Sequence, residues 1–121
     1  MRAVSSVSGE VVVVMYKAMF LYGHPVDQAA FDAYVESTHI PLVKKVRGLT
    51  GWTISKFDPG LDGTSGPYYL VGELYAPSRE AWLEILDSPE GKTASADLSN
   101  FATGGVTILF GEVQTMIPVQ A

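Results

Sequence analysis

The segment VVVVMYKAMFLY, Val11 to Tyr22, sets the first limit on the fold. Its β-branched and aromatic residues make a strand of full length. In a strand, Val12, Val14, Tyr16, Ala18, Phe20 and Tyr22 share one face. Val11, Val13, Met15, Lys17, Met19 and Leu21 share the other, so the polar alternation of a half-exposed strand is nearly absent. Both faces of this strand need cover. The run carries Lys17 and falls short of the roughly 20 apolar residues that a membrane span requires. Met1 to Glu10 is a Ser-rich, polar lead-in without the basic start and small-residue cleavage site of a signal peptide. A soluble, cytoplasmic protein is the expectation.

After GHPVD, with Asp27 placed as an N-cap, Phe31, Tyr34, Val35, Thr38 and Leu42 recur at intervals of three and four, which predicts a helix over roughly 27–46. Pro41 lacks a backbone donor and disfavours helical dihedrals at Ile40, so the helix is expected to kink or restart just after His39. Gly48 closes the segment. LTGWTISKF reads as a second strand, DPGLDGTSGP as a hairpin loop and YYLVGELYA as a third strand. PSREAWLEIL opens on capping residues and sets Ala81, Trp82, Ile85 and Leu86 on one helical face. A further short helix from Ser88 carries Ala94, Leu98 and Phe101, and VTILFGEVQTMI is the last strand.

This order predicts an α+β, ferredoxin-like β-α-β-β-α-β fold: a four-stranded antiparallel sheet, helices on one face, and an extra short helix before the last strand. The domain is placed at 11–117. Because the first strand is apolar on both sides, the helix-free face is expected to close on a second copy, giving a homodimer. The chain has 121 residues, 47% hydrophobic and 17% charged, enough for one core and no more. A net charge of -5 leaves no electrostatic footprint for nucleic acid, and the absence of cysteine removes disulfides, thiolate nucleophiles and Cys-ligated zinc.

His39 lies four residues after Val35 and eight after Phe31, on or beside the core-facing stripe. Two readings stand open. Its ring could exchange a proton in an apolar cleft, or it could bond the backbone carbonyls left without a donor at Pro41. His24, before Pro25, reads as a loop residue, roughly 18 to 22 Å from His39 along the helix. Neither a histidine pair nor a metal site is expected. Glu73 and Glu112 are strand carboxylates that could accept a proton if buried, although edge positions or cross-strand bonds are the commoner fate. Tyr22, Tyr34, Trp52, Trp82 and Phe101, with Glu73, are the candidates for lining a ligand cleft. No nucleophile elbow or phosphate loop is present.

FDAYVESTHIPLVKKVRGL, followed by SPEGKTASADLSNFATGGVTILF, resembles the EthD-like family of the dimeric α/β barrel superfamily. The likeness rests on Phe31, Tyr34, the Thr38, His39, Pro41 and Leu42 group, and the Asp97, Leu98, Asn100 and Phe101 group. Arg47 stands where members often have proline, a departure next to the turn that leaves the His39 motif intact. The resemblance implies two ferredoxin-like subunits forming a β-barrel dimer, each with a cavity between sheet and helices. It implies no single reaction. It suggests a cofactor-independent enzyme of oxidoreductase, monooxygenase, cyclase or isomerase type acting on a small hydrophobic molecule, with His39 catalytic. The alternative is a binding or accessory dimer for an oxygenase system, such as ether degradation by a cytochrome P450. A weaker one is haem held by His39.

Overall fold

The computed structural model describes residues 15–121 in full and the backbone of residues 4–7 and 10–13. Four strands, β3 (Met15–Gly23), β4 (Gly51–Lys56), β5 (Tyr68–Ala76) and β6 (Val106–Val113), form one antiparallel sheet in the order β4-β5-β3-β6. The long first strand expected from Val11 is shorter than its apolar run. Glu10–Val13 (β2) instead pairs with Val4–Val7 (β1) in a separate two-stranded ladder. A run of β-branched residues has no internal mark for where one strand stops, so pairing partners decide it. Strand β1 also falls inside the expected polar lead-in. Val14 lies outside the described residues.

Side-chain parity gives the sheet two unlike faces. On β3 the inner set is Tyr16, Ala18, Phe20 and Tyr22, opposite Ala76, Leu74, Gly72 and Leu70 of β5 and Glu112, Phe110, Ile108 and Val106 of β6. Ala18, Tyr22, Leu70 and Leu74 are buried there beneath helical side chains. The outer set is Met15, Lys17, Met19 and Leu21, and no helix among the described residues covers it.

The helical layer starts with α1 (Gln28–Tyr34), whose N-cap Asp27 accepts from the Ala30 amide at 3.0 Å. It widens into a π-helical turn, Val35–His39, and returns to the α form as α2 (Ile40–Lys44). Helix α3 (Arg79–Asp87) is capped by Ser78, and α4 (Pro89–Phe101) by Ser88. The second of these was expected to be short. At 13 residues α4 is the longest helix among the described residues, because Ser88 caps it, Pro89 fits its first turn and neither Gly nor Pro intervenes between Gly91 and Gly104. A Cβ on Gly91 would meet the Ile85 carbonyl oxygen at 1.9 Å, so only glycine lets α4 turn this closely off α3.

Buried side chains gather in two clusters along the inner face. One holds Tyr22, Phe31, Val35, Tyr69, Leu70, Leu98 and Phe101. The other holds Ala18, Val43, Leu74, Ala76, Trp82 and Ile85. The observed order is the expected ferredoxin-like one. No helix among the described residues is long and apolar enough to cross a membrane.

Candidate functional site

The anomaly anticipated at Pro41 takes the form of a widened turn. The Ile40 amide reaches back five residues to the Val35 carbonyl instead of four. In an α-helix, Pro41 would leave the Ser37 carbonyl without its donor and press its ring against it. The wider turn takes up that conflict without a break. It also sets the buried face. Phe31, Val35, His39 and Val43 are all buried, each four residues from the next. In an uninterrupted α-helix such a series drifts by about 40° per step. A turn with more residues offsets that lag, so His39 stays on the buried face. Turns of this kind are enriched at functional sites.

His39 is 8% exposed, and its Nδ1 lies 2.9 Å from Oδ2 of Asp97 on α4, itself 6% exposed. Its ring packs against Phe101 with centroids 4.5 Å apart. The ring therefore bonds a carboxylate, and not the backbone carbonyls near Pro41 that formed the second reading of this residue. Asp97 Oδ1 accepts from the Tyr34 hydroxyl at 2.5 Å and from Asn100 Nδ2 at 3.0 Å. Burial pushes the Asp97 carboxyl up, but the bonds from Tyr34, Asn100 and His39 outweigh it and hold the group below the usual carboxylate range. The same bond pushes the Tyr34 phenol up. An ionised carboxylate only accepts, so Nδ1 carries the hydrogen, and in the neutral ring Nε2 holds the lone pair. Nε2 hydrogen-bonds to no other described residue.

His39 is also part of the wall of a cleft between sheet and helices. Phe20, Tyr22, Leu70, Gly72 and Leu74 form its floor; Val35, Val43 and Leu98 its roof; Trp52, Ile54, Trp82 and Ile85 continue the lining. The surroundings are almost wholly apolar. The Tyr22 hydroxyl has no hydrogen-bond partner among the described residues, and burial first, then the charge of Asp97, pushes its phenol up. It is thus a neutral donor lining the same cleft as His39. This pairing of a fixed imidazole and a protonated phenol within an apolar cleft can move a proton and steady the charge that results.

Four of the seven residues singled out from the sequence, Tyr22, His39, Trp52 and Trp82, meet at this cleft. Tyr34 and Phe101 stand one layer behind it, on a shallow outer groove shared with Asn100 and Thr103. Glu73 is elsewhere. It alternates with Gly72 and Leu74 of the floor, so it points to the helix-free face, where it pairs with Lys17 at 2.8 Å. Glu112 is exposed near the end of the edge strand β6, and His24 bonds the Gly66 carbonyl in a loop. Asp97 is the functional residue that residue-by-residue reasoning passed over. Its signal was the Asp97 and Asn100 spacing on a stripe with Phe101. Among the described residues, no three His, Asp or Glu side chains converge as a metal site would need.

An EthD domain family model matches residues 23–105, which takes in the π-helical turn, Asp97 and the cleft lining apart from Phe20 and Tyr22. An uncharacterised 11.0 kDa protein of Rhodococcus erythropolis, from the thcB-thcC intergenic region, is 40% identical over 104 residues, 86% of this chain and 100% of that one. The crystal structure of an ethyl tert-butyl ether D (EthD) family protein from Bacillus halodurans is 32% identical and superposes with a TM-score of 0.76, over 80% of this chain and 96% of the other. A hydroxynitrile lyase from Passiflora edulis, 10% identical, superposes with a TM-score of 0.66 over 87% and 97% of the two chains, a likeness of fold alone. This chain belongs to the EthD family.

Proposed function

We propose that this protein is a proton-transfer enzyme acting on a small apolar molecule held in the cleft between sheet and helices, with His39 as the base. One observation carries the reading: a buried imidazole whose Nδ1 is fixed by an ionised Asp97 at 2.9 Å, with Nε2 left unpaired in an apolar wall. Binding of an apolar molecule displaces water from the cleft and strengthens each polar interaction left inside. Nε2 takes a proton from an acidic C–H or O–H of the substrate, and the electron pair stays on the substrate. Asp97 offsets the positive charge that forms on the ring. Tyr22, kept protonated by burial, donates to the negative charge that forms on the substrate. Where a C–H gave up the proton, its return to a different atom gives an isomerisation. Attack of the carbanion on a carbonyl carbon of the same molecule forms a C–C bond and opens the C=O π bond to an alkoxide, which takes the proton back from His39 and gives a cyclised alcohol. Family resemblance is the support for an oxidoreductase outcome, in which the carbanion would pass electrons to an oxidant such as dioxygen.

The active unit is read as a homodimer closed across the helix-free face. Met15, Met19 and Leu21 are only half-buried there, and Leu109 is 52% exposed. An apolar face of this kind is what an isologous contact uses.

The probe 5-nitrobenzisoxazole is flat and opens its ring when a base removes its single carbon-bound ring proton beside nitrogen, with cleavage of the N–O bond. The wild-type protein is expected to accelerate this opening, and His39→Gln to lose about 100-fold or more of the rate, the usual scale for a positioned base. Full activity in His39→Gln removes His39 from the chemistry. Tight binding of the probe with no turnover in either protein replaces the enzyme with a carrier.

A further inference from the structure

Trp82 is 3% exposed, and its Nε1 is the buried side-chain polar atom that lacks any hydrogen-bond partner among the described residues. Buried donors in folded proteins are nearly always paired, and leaving one unpaired costs on the order of 1–3 kcal/mol. Trp82 belongs to the cleft lining. It sits in the cluster built on Ala18, and its ring meets Phe110, the register partner of Ala18, edge to face at 5.7 Å. Tyr22 lies four residues further along the same strand, roughly 13 Å away at the rise of an extended chain. Trp82 and Tyr22 therefore lie toward opposite ends of the cleft floor. Between them Gly72 pairs with Phe20, and a Cβ there would meet nothing closer than 3.8 Å. The missing side chain leaves a gap in the middle of the floor that Leu74 Cδ1 and Trp52 Nε1 border at 3.8 and 3.9 Å from where a Cβ would stand.

We infer that the ligand is an elongated, flat, apolar molecule with a carbonyl-type acceptor oxygen at the end remote from His39, which accepts a hydrogen bond from the Trp82 indole N–H while the molecule lies over Gly72. This deepens the preceding reading and rests on it only in taking the cleft as the binding site. Trp82 sets which apolar molecules bind. Gly72 sets how much of the cleft they fill.

The test uses two probes that differ in one group, 2-acetylnaphthalene with C=O and 2-isopropenylnaphthalene with C=CH2. Binding to the full chain is followed by the indole N–H signals of the two tryptophans, and Trp82→Phe identifies the Trp82 signal. The ketone is expected to bind about fivefold more tightly than the alkene, the scale of one net hydrogen bond. It should move the Trp82 N–H signal downfield, and the alkene should not. In Trp82→Phe the preference falls to about one, while His39→Gln keeps it, so failure of the base and failure of the anchor are told apart. Gly72→Leu is expected to weaken both probes at least about tenfold by filling the floor. Equal binding of the two probes overturns the inference. So does a preference that survives in Trp82→Phe, or a failure of both probes to bind. If Trp82→Phe does not fold, the N–H signal of the wild type decides, and one that no probe moves means the N–H already faces the Phe110 ring.

Discussion

The two faces of the sheet use nearly the same strands for opposite ends. On the inner face, small residues such as Ala18, Gly72 and Ala76 alternate with large ones, and helical side chains close over them to leave a cleft. The outer face carries Met15, Met19, Leu21, Val71 and Tyr75 around a single ion pair, Lys17 with Glu73. Buried polarity inside is organised by converging hydrogen bonds on Asp97; outside it is one pair of opposite charges that offset each other. A carboxylate with three donors can steer a neighbouring ring. A carboxylate matched by one ammonium has its charge offset, and Glu73 stands on the side of the sheet away from the cleft.

The largest effect that would sharpen this contrast is expected from Asp97→Asn. It keeps the shape but removes the charge that orients and balances His39, so ring opening of 5-nitrobenzisoxazole should fall by about 100-fold, on the scale of the base itself. The same change has a stability signature. Asp97 titrates below its unfolded value, so its contribution is fully present above about pH 4 and is lost as pH falls through the lower folded value. Acid unfolding followed by circular dichroism should therefore be steeper for the wild type than for Asp97→Asn in that window. Equal slopes would mean that the hydrogen bonds to Asp97 do not hold in solution.

On the other face, Leu109→Asp should weaken self-association by tenfold or more, since a charge would have to be buried against an apolar partner, at a cost of about 2 kcal/mol or above. Sedimentation of both proteins at micromolar concentration checks it, and a wild-type monomer breaks the assignment of this face. The smallest effect belongs to Glu73→Gln. It should change the rate of probe opening by no more than about twofold, because Glu73 and the cleft lie on opposite sides of the sheet. A hundredfold loss would erase the distinction between the faces.

Much of this arrangement was legible in residue patterns, and the gaps have physical causes. The third strand of the sequence reading, YYLVGELYA, coincides with β5, because apolar β-formers there are bracketed by Pro67 and Pro77. His39 could be placed on the buried face from its spacing to Phe31 and Val35. Asp97 could not be tied to it. The two are 58 residues apart, and a carboxylate among Ser, Ala and Asn on a polar helix reads as solvent-facing until α4 is laid against α1. Glu73 failed for a different reason. Its parity relative to Gly72 was visible, but which parity points inward depends on where the helices pack. At Pro41, the missing donor announced a disturbance and left open whether the helix would break or widen.

That widening makes the helix a counting device as well as a support. The extra residue between Val35 and Ile40 sets the phase at which everything after it meets the sheet. Deleting one residue at Ser37 or Thr38 would let the chain revert to an ordinary turn with every later residue still in phase, whereas reverting to the α form with all residues kept would shift each later one by about 100° around the axis. In that second case the imidazole would leave Asp97, and Val43 would leave the second core cluster in the same movement. Chemistry and packing are thus written in one register. A lineage of such chains can drop the extra residue together with the wide turn and keep both, but it cannot straighten the turn and keep that residue.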